Sequence, residues 1–356
     1  MSAARKILAA AAASLLWFAA PAMAAAPDKN AEATWGAGAW EAFKARFLAA
    51  DGRITDDGNK GISHTEGQGY GMLLAVHAND RAAFDKIWGF ASKELYIRKD
   101  GLAVWKWDPD QTPHTPDQNN ATDGDMLIAW ALAEAGAHWK EAKLNASAKQ
   151  IALAIGRNAV GSSDYGPVLR PGAVGFGVLD SEDGPVVNLS YWVYPAFDAL
   201  KGVAPDVNWA GFRASGLALL AASRVGATQL PPDWSSLHEV KPKPAKHFPA
   251  VFGYNAIRVP LYLAWGGLAD ADRMTPFTAQ WRNADGRPAV VDLATGSATE
   301  PFFEQGYRAV SALTRCASDG QKFPAELRQV KPEKYYSTTL HMLALIALRQ
   351  RFPQCQ

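Results

Sequence analysis

Ile62-Ser63-His64-Thr65-Glu66-Gly67-Gln68-Gly69-Tyr70-Gly71-Met72 is the stretch on which the reading of this 356-residue chain turns. It opens an apolar run that lasts to Ala78, and Glu66 is the only carboxylate within it. Ser63 with Glu66 three residues later fits the capping box of a helix start. Glycine, however, costs about 1 kcal/mol per residue in a helix interior, so Gly67, Gly69 and Gly71 would make a poor purely structural helix. Glycines also let a ligand approach the backbone closely. Glu66 therefore reads as a carboxylic acid at the floor of an open site. It heads a helix over about 65–77 that is apolar nearly all round and belongs in the interior.

Outward from this helix, buried and amphipathic segments alternate. The segment 81–95, preceded by Asn79-Asp80, carries charge on one face and Phe84, Ile87, Trp88 and Ala91 on the other. Apolar 121–139 is followed by amphipathic 144–158, and the pairs 191–200 with 209–224, 255–268 with 276–283, and 302–314 with 336–351 continue the series. Upstream, Phe43, Phe47 and Leu48 mark a helix over 40–50 that Asp51-Gly52 ends. Strand-like runs are brief, at 168–170 and 174–178, and no repeated β-α units occur, which argues against a parallel sheet. The Pro-rich stretch 231–249 reads as a surface loop rather than a linker. The expected fold is all-α: six inner and six outer helices closing into one (α/α)6 barrel over residues 37–356, with the polar starts of the inner helices gathered at one end.

The first residues read as processing signals. Arg5 and Lys6, an apolar stretch 7–20 and Ala22-Met23-Ala24 form a secretory signal peptide over 1–24, and 25–36 reads as a flexible leader. Export to a periplasm or the medium is the expectation, with no membrane span. Cleavage takes Lys plus Arg from 36 to 34 against 35 acids, a formal charge of −1. Such balance gives no electrostatic reason to bind nucleic acid or anionic lipid. A neutral polymer suits it better, and the 13 tryptophans include Trp105 and Trp107 in a polar loop, where aromatic faces can stack on sugar rings. Export permits a disulfide between the only cysteines, Cys316 and Cys355. If their helices pack antiparallel, the sulfurs meet only where the tail folds back, so the pairing stays open. No cofactor or metal is implied.

A second cluster, Asn119-Asn120-Ala121-Thr122-Asp123-Gly124-Asp125, runs directly into a buried helix. Capping by Thr122 or Asp123 is one reading; the other sets Asp123 across a cleft from Glu66. Ala121-Thr122-Asp123-Gly124-Asp125, with Ile128-Ala129, Ala131-Leu132, Ala135 and Trp139, resembles the signature of glycoside hydrolase family 8. His64-Thr65-Glu66-Gly67-Gln68-Gly69-Tyr70-Gly71-Met72 is similar to that family's acid motif. The likeness extends from about Trp40 to Tyr336. Within the family the pattern, including Asn79–Asp85 and Tyr335-Tyr336, is similar to the periplasmic endo-β-1,4-glucanases that accompany bacterial cellulose synthases. The resemblance implies an (α/α)6 barrel that hydrolyses β-1,4-glucan with inversion, acting as a monomer beside the cellulose synthase export machinery. It implies Glu66 as general acid and Asp123 as a ligand of the sugar at the cleavage point. An inverting pair needs one protonated carboxyl and one carboxylate about 6.5–9.5 Å apart.

One position departs from that pattern. Where the family's base aspartate is expected in Tyr-Asp-x-x-Arg, this chain reads Tyr254-Asn255-Ala256-Ile257-Arg258. A carboxamide cannot take a proton from water, and Arg258 loses the charge partner expected at i−3. Three readings follow: another carboxylate serves as base, with Asp123 first and Asp183, Asp292 or Glu300 as loop candidates; the chain is an impaired glucan-binding subunit; or Asn255 is an inactivating change. Chitosanase and xylanase are rivals within the fold, although Lys60, Lys106 and Arg258 sit poorly with a polycationic substrate. Trp105, Tyr70, Tyr191, which follows Asn188-Leu189-Ser190, Tyr254 and Arg258 are the expected substrate contacts. His64 reads either as a sugar contact or as a structural group.

Overall fold

The structure, a computed structural model, describes residues 29–282 and 286–356. The signal-peptide reading and the start of the leader lie outside the described residues. Among the described residues, twelve α-helices carry the fold: α1 Lys29–Trp35, α2 Ala39–Phe47, α3 Thr65–His77, α4 Arg81–Phe90, α5 Thr122–His138, α6 Ala142–Asn158, α7 Ala196–Val203, α8 Trp209–Ala222, α9 Arg258–Trp265, α10 Ala271–Arg282, α11 Gln305–Asp319 and α12 Tyr335–Arg351. Helices α3, α5, α9 and α12 are buried almost all round, as their apolar sequences require. Against this layer, α4 packs on α3 and α6 on α5, each burying one apolar face and turning charge outward, while α8 packs on α7 and the strand Gly166–Leu169. The alternation read from the sequence is the (α/α)6 arrangement. Among the described residues, no helix is long and apolar enough to cross a membrane.

Several boundaries differ from the expectation for local reasons. Residues 29–35 are not a flexible leader: they form α1, and Trp35 is fully buried with its indole Nε1 donating to Met342 O at 3.1 Å. Helix α10 begins at Ala271 rather than at Pro276, because Asp270 Oδ1 accepts from Arg273 N at 2.9 Å and caps the earlier start. The segment expected to be helical from Tyr191 is a 3-10 turn, Leu189–Tyr191, followed by α7. Residues 254–257 form a turn before α9. The strand-like run at 174–178 is loop, whereas Gly166–Leu169 pairs antiparallel with Val160–Ser163.

The stretch 231–249 is more than a surface loop. Ser235–Ser236 lies between Val186–Val187 and Lys243–Pro244 in a three-stranded sheet. That pairing buries Asp233, Ser235 and Ser236. The tail does fold back: a final turn at Pro353–Cys355 places Cys355 against Cys316 in a disulfide, with Cα atoms 6.1 Å apart.

Candidate active site

Helix α3 starts one residue later than a Ser63 cap would place it. Ser63 and His64 pair with Trp107 and Lys106 in a short antiparallel ladder. His64 then caps the helix, its Nδ1 accepting from Gly67 N at 3.0 Å while Nε2 faces Asp56 Oδ2 at 3.4 Å. This makes His64 a structural group with a defined tautomer. Glu66 is thereby released from capping, and its carboxylate points across the barrel to Arg258.

The glycines after Glu66 do not open the site to a ligand, as the sequence suggested; protein fills the room they leave. A Cβ on Gly69 would stand 2.5 Å from Leu127 Cβ and 2.9 Å from Ile128 N of α5. One on Gly124 would stand 2.0 Å from Thr65 Oγ1 and 2.7 Å from Glu66 N. Helices α3 and α5 thus interlock through glycines on both sides, and this close approach brings Glu66 and Asp123 together.

Arg258, at the first turn of α9, joins the parts. Its guanidinium is buried, with 2% of the side chain exposed. Nη1 donates to Glu66 Oε2 and, at 2.9 Å, to Asp123 Oδ2. Nη2 donates to Asn255 Oδ1 at 3.0 Å and Ser190 Oγ at 2.8 Å. The arginine left without its i−3 partner therefore has two carboxylates on other helices. Asn255 Oδ1 also accepts from Asn188 Nδ2 at 3.0 Å. Burial pushes the Asp123 carboxyl up to about 6, Arg258 opposing and the negative charge of Glu66 adding to the rise.

Spacing separates the acidic groups. Glu66 and Asp123 share one nitrogen, so their oxygens are no further apart than two hydrogen bonds end to end, about 6 Å. Asn255 is held by the other nitrogen, and the width of the fork places its oxygen up to about 8 Å from Glu66. Thr122 does not cap α5; its hydroxyl donates to Arg170 O at 2.6 Å. Asp125 is a structural carboxylate that accepts from Ala103 N at 2.9 Å and Asn120 Nδ2 at 3.0 Å, and burial pushes it up to about 7.

The expected substrate contacts divide. Tyr191 is buried beside the guanidinium, its ring centroid 5.9 Å from Arg258 Cζ, and burial together with the nearby charge of Asp123 pushes its hydroxyl pKa up. Half-buried Trp105 lies at the mouth, its Nε1 donating to Asp117 Oδ2 at 2.7 Å and its carbonyl accepting from Thr65 N at 2.9 Å. Tyr254, 43% exposed, forms the rim and donates to Glu300 Oε1 at 2.7 Å. Tyr70 is no surface contact. One helical turn below Glu66, it is fully buried with its hydroxyl paired to that of Tyr262. Asp183 accepts from Ser181 Oγ and from Lys246 N of a distant loop, and Asp292 from Thr295 N of its own turn. The sequence reading did not assign roles to Ser190, Tyr336, whose hydroxyl donates to Tyr254 O at 2.7 Å, or Asp233. The Asn188–Tyr191 and Tyr335-Tyr336 segments carried the only signal for the first two. Among the described residues, no group of three His, Cys, Asp or Glu side chains could hold a metal ion.

Comparison with known proteins agrees with this geometry. The family model described as Glycosyl hydrolases family 8 matches residues 9–350. A probable endoglucanase of Novacetimonas hansenii is 37% identical over 316 residues, covering 86% of this chain and 89% of that protein. An endoglucanase of Cellulomonas uda is 37% identical over 284 residues, 79% of this chain and 78% of its own. Among solved structures, endo-β-1,4-glucanase CMCax from Acetobacter xylinum superposes with a TM-score of 0.81 at 36% identity, covering 90% of this chain and 99% of that one. Endoglucanase Cel10 from Klebsiella pneumoniae gives 0.80 at 35% identity, with 87% and 98% covered. With its family model matched over nearly its whole length, its barrel shared and its two carboxylates set on one arginine, the chain belongs to glycosyl hydrolase family 8.

Proposed function

We propose that this protein is an endo-acting β-1,4-glucanase that cleaves with inversion, with Glu66 as general acid and Asp123 as the ligand of the sugar at the cleavage point. The observation that carries this reading is the single guanidinium of Arg258, which holds Glu66, Asp123 and Asn255 in fixed mutual positions. An inverting site must leave room for a water between acid and base, about 6.5–9.5 Å. The Glu66–Asp123 separation is too short for that, so Asp123 binds hydroxyls of the sugar ring and is not the base. Asn255, held by the other nitrogen of the fork up to about 8 Å from Glu66, is taken to mark where the water binds. Glu66 gives its proton to the glycosidic oxygen while that water attacks the anomeric carbon from the opposite face. Trp105 and Tyr254 offer aromatic faces at the mouth, and Tyr191 completes the wall beside Asp123.

Glucan is favoured over chitosan because Arg258 and Lys106 lie at or beside the site, where a polycation would be repelled. The apolar N-terminal stretch with Ala22-Met23-Ala24 supports export, and the disulfide fits an oxidising compartment. The reading includes a monomeric enzyme working in the periplasm beside a cellulose synthase. The test is hydrolysis of cellohexaose followed by proton NMR. Initial release of the α-anomer, abolished by Glu66→Gln, is expected. A parent protein inert on β-1,4-glucan, or a Glu66→Gln variant with undiminished turnover, overturns the reading.

A further inference from the structure

The amide at position 255 moves the question of the base to its neighbours. The orientation of Asn255 is fixed by hydrogen bonding. Asn188 Oδ1 accepts from Ser190 N at 3.0 Å and Ser190 Oγ at 2.7 Å, so Asn188 Nδ2 must be the donor to Asn255. Arg258 supplies a second donor to the same Asn255 oxygen. That oxygen is saturated, and Asn255 presents its N–H groups on the other side.

Asp233 sits against the turn that carries Asn255, and the Asn255 amides are among the groups that oppose the effect of burial on its carboxyl. Its Oδ1 accepts from Gly253 N and Ala256 N, each at 2.8 Å. A Cβ on Gly253 would come within 2.9 Å of Oδ2, so glycine there is what allows the carboxylate its position. Asp233 N is itself tied to Val251 O at 2.8 Å. Asp233 is buried, 7% exposed, and lies two residues before the strand Ser235–Ser236. Burial raises its affinity for a proton, against the pull of the amide donors. Glu300, another acid near this turn, is exposed and accepts from the Tyr254 hydroxyl.

We propose that Asp233 is the general base, taking the proton of the attacking water that the Asn255 carboxamide holds. The proposal rests on the inverting-glucanase reading above. The water oxygen bonds to the anomeric carbon and the bond to the leaving glucosyl oxygen breaks. Glu66 supplies the proton to that oxygen, and Asp233 receives the proton from water. Solvent then returns both groups to their starting states. Relative to the family pattern, the negative charge is displaced from position 255 to position 233.

The test uses the full chain on cellohexaose, with kcat, KM and the thermal midpoint measured together. Asp233→Asn retains an oxygen for Gly253 N and Ala256 N, so the fold and KM should persist while kcat falls roughly 10²–10⁴-fold. Adding Asn255→Asp to that variant returns a carboxylate to the water and should recover at least about tenfold of the loss. Asp233→Ala with sodium azide should give an α-glycosyl azide, because azide needs no base. A parent active on glucan whose Asp233→Asn variant stays within a factor of about ten in kcat overturns the proposal. So does a loss that follows a lowered thermal midpoint and that neither azide nor Asn255→Asp relieves, or an equal loss in Glu300→Gln. An inert parent is a separate result that overturns the glucanase reading and this proposal with it.

Discussion

Replacing Arg258 with methionine, which fills similar space without charge, tests the centre of the site. The guanidinium gives up two hydrogen bonds to carboxylates and three to neutral oxygens, the longest from Nε to Asn255 O. Hydrogen bonds to charged groups contribute about 1.5–3 kcal/mol each, and breaking a buried ion pair from one side costs about 3–5 kcal/mol. Asp123, with 3% of its side chain exposed, has little water to compensate. The expected loss at pH 8 is therefore about 3–5 kcal/mol. The pH dependence has a definite sign. Asp123 already titrates at about 6, above its ordinary value of 3.8, because of burial, and Arg258 holds it down. Without Arg258 it rises further. A raised carboxyl contributes stability that is present below the unfolded value and lost as pH rises through the folded one. The gap between parent and variant should thus widen from pH 5 to pH 8, by about 1.4 kcal/mol for each further unit of rise. Urea unfolding followed by tryptophan fluorescence at both pH values measures this. A cost under about 1 kcal/mol at pH 8, or an equal cost at pH 5, would refute the reasoning. Arg258→Lys should recover part of the stability but little turnover, since a point charge cannot hold three groups as a planar fork does.

Three further outcomes follow from the packing. Gly124→Ala pushes a methyl against Thr65 and the backbone of Glu66, so it should cost about 1–3 kcal/mol and reduce kcat. Gly202→Ala, on α7 with nothing within 4 Å of the new methyl, should be neutral or slightly stabilising; equal melting losses in the two would contradict the interlock. Tyr70→Phe leaves the buried Tyr262 hydroxyl without its partner and should cost about 1–3 kcal/mol with KM for cellohexaose unchanged; a large rise in KM would restore Tyr70 to the substrate surface. Changing Cys316 and Cys355 together to alanine removes a link across a sequence separation of 39, which lowers stability by about 4 kcal/mol on chain entropy, while activity at 25 °C persists; a denaturation midpoint that does not move would refute this.

The inner helices were legible because hydrophobic periodicity survives any tertiary context: α3 was read to the residue, and α5 and α12 to within one residue at each end. Chemistry-bearing groups at helix starts were equally visible, since Glu66, Asp123 and Asp125 have no reason to solubilise segments that enter a core. What the sequence hid were relations between distant segments. Gly69 reads as part of an open floor until it is seen to face α5, as Gly124 faces α3. Arg258 looks unpaired when only i±3 and i±4 neighbours are counted, because its partners lie more than 130 residues away. Asp233 was concealed by composition: Pro231, Pro232 and the prolines that follow read as surface loop, while the strand pairing that buries the carboxylate rests on two serines. Cys316 and Cys355 could be paired only once the turn after α12 was known.

The seam of the barrel has a consequence for how the chain can be cut. Helix α1 lies against α12, with Trp35 Nε1 on Met342 O and Val330 N on Trp35 O at 2.9 Å, and α12 also packs on α3. The described beginning and end of the chain are therefore neighbours, and the ring is indifferent to where its covalent gap falls. A short linker from Gln356 to Lys29, with new termini opened in the exposed loop near Val240, should give a permuted chain with the same barrel and the same reaction. A deletion that removes α1 would instead leave Trp35's slot on α12 empty and open the ring at that joint.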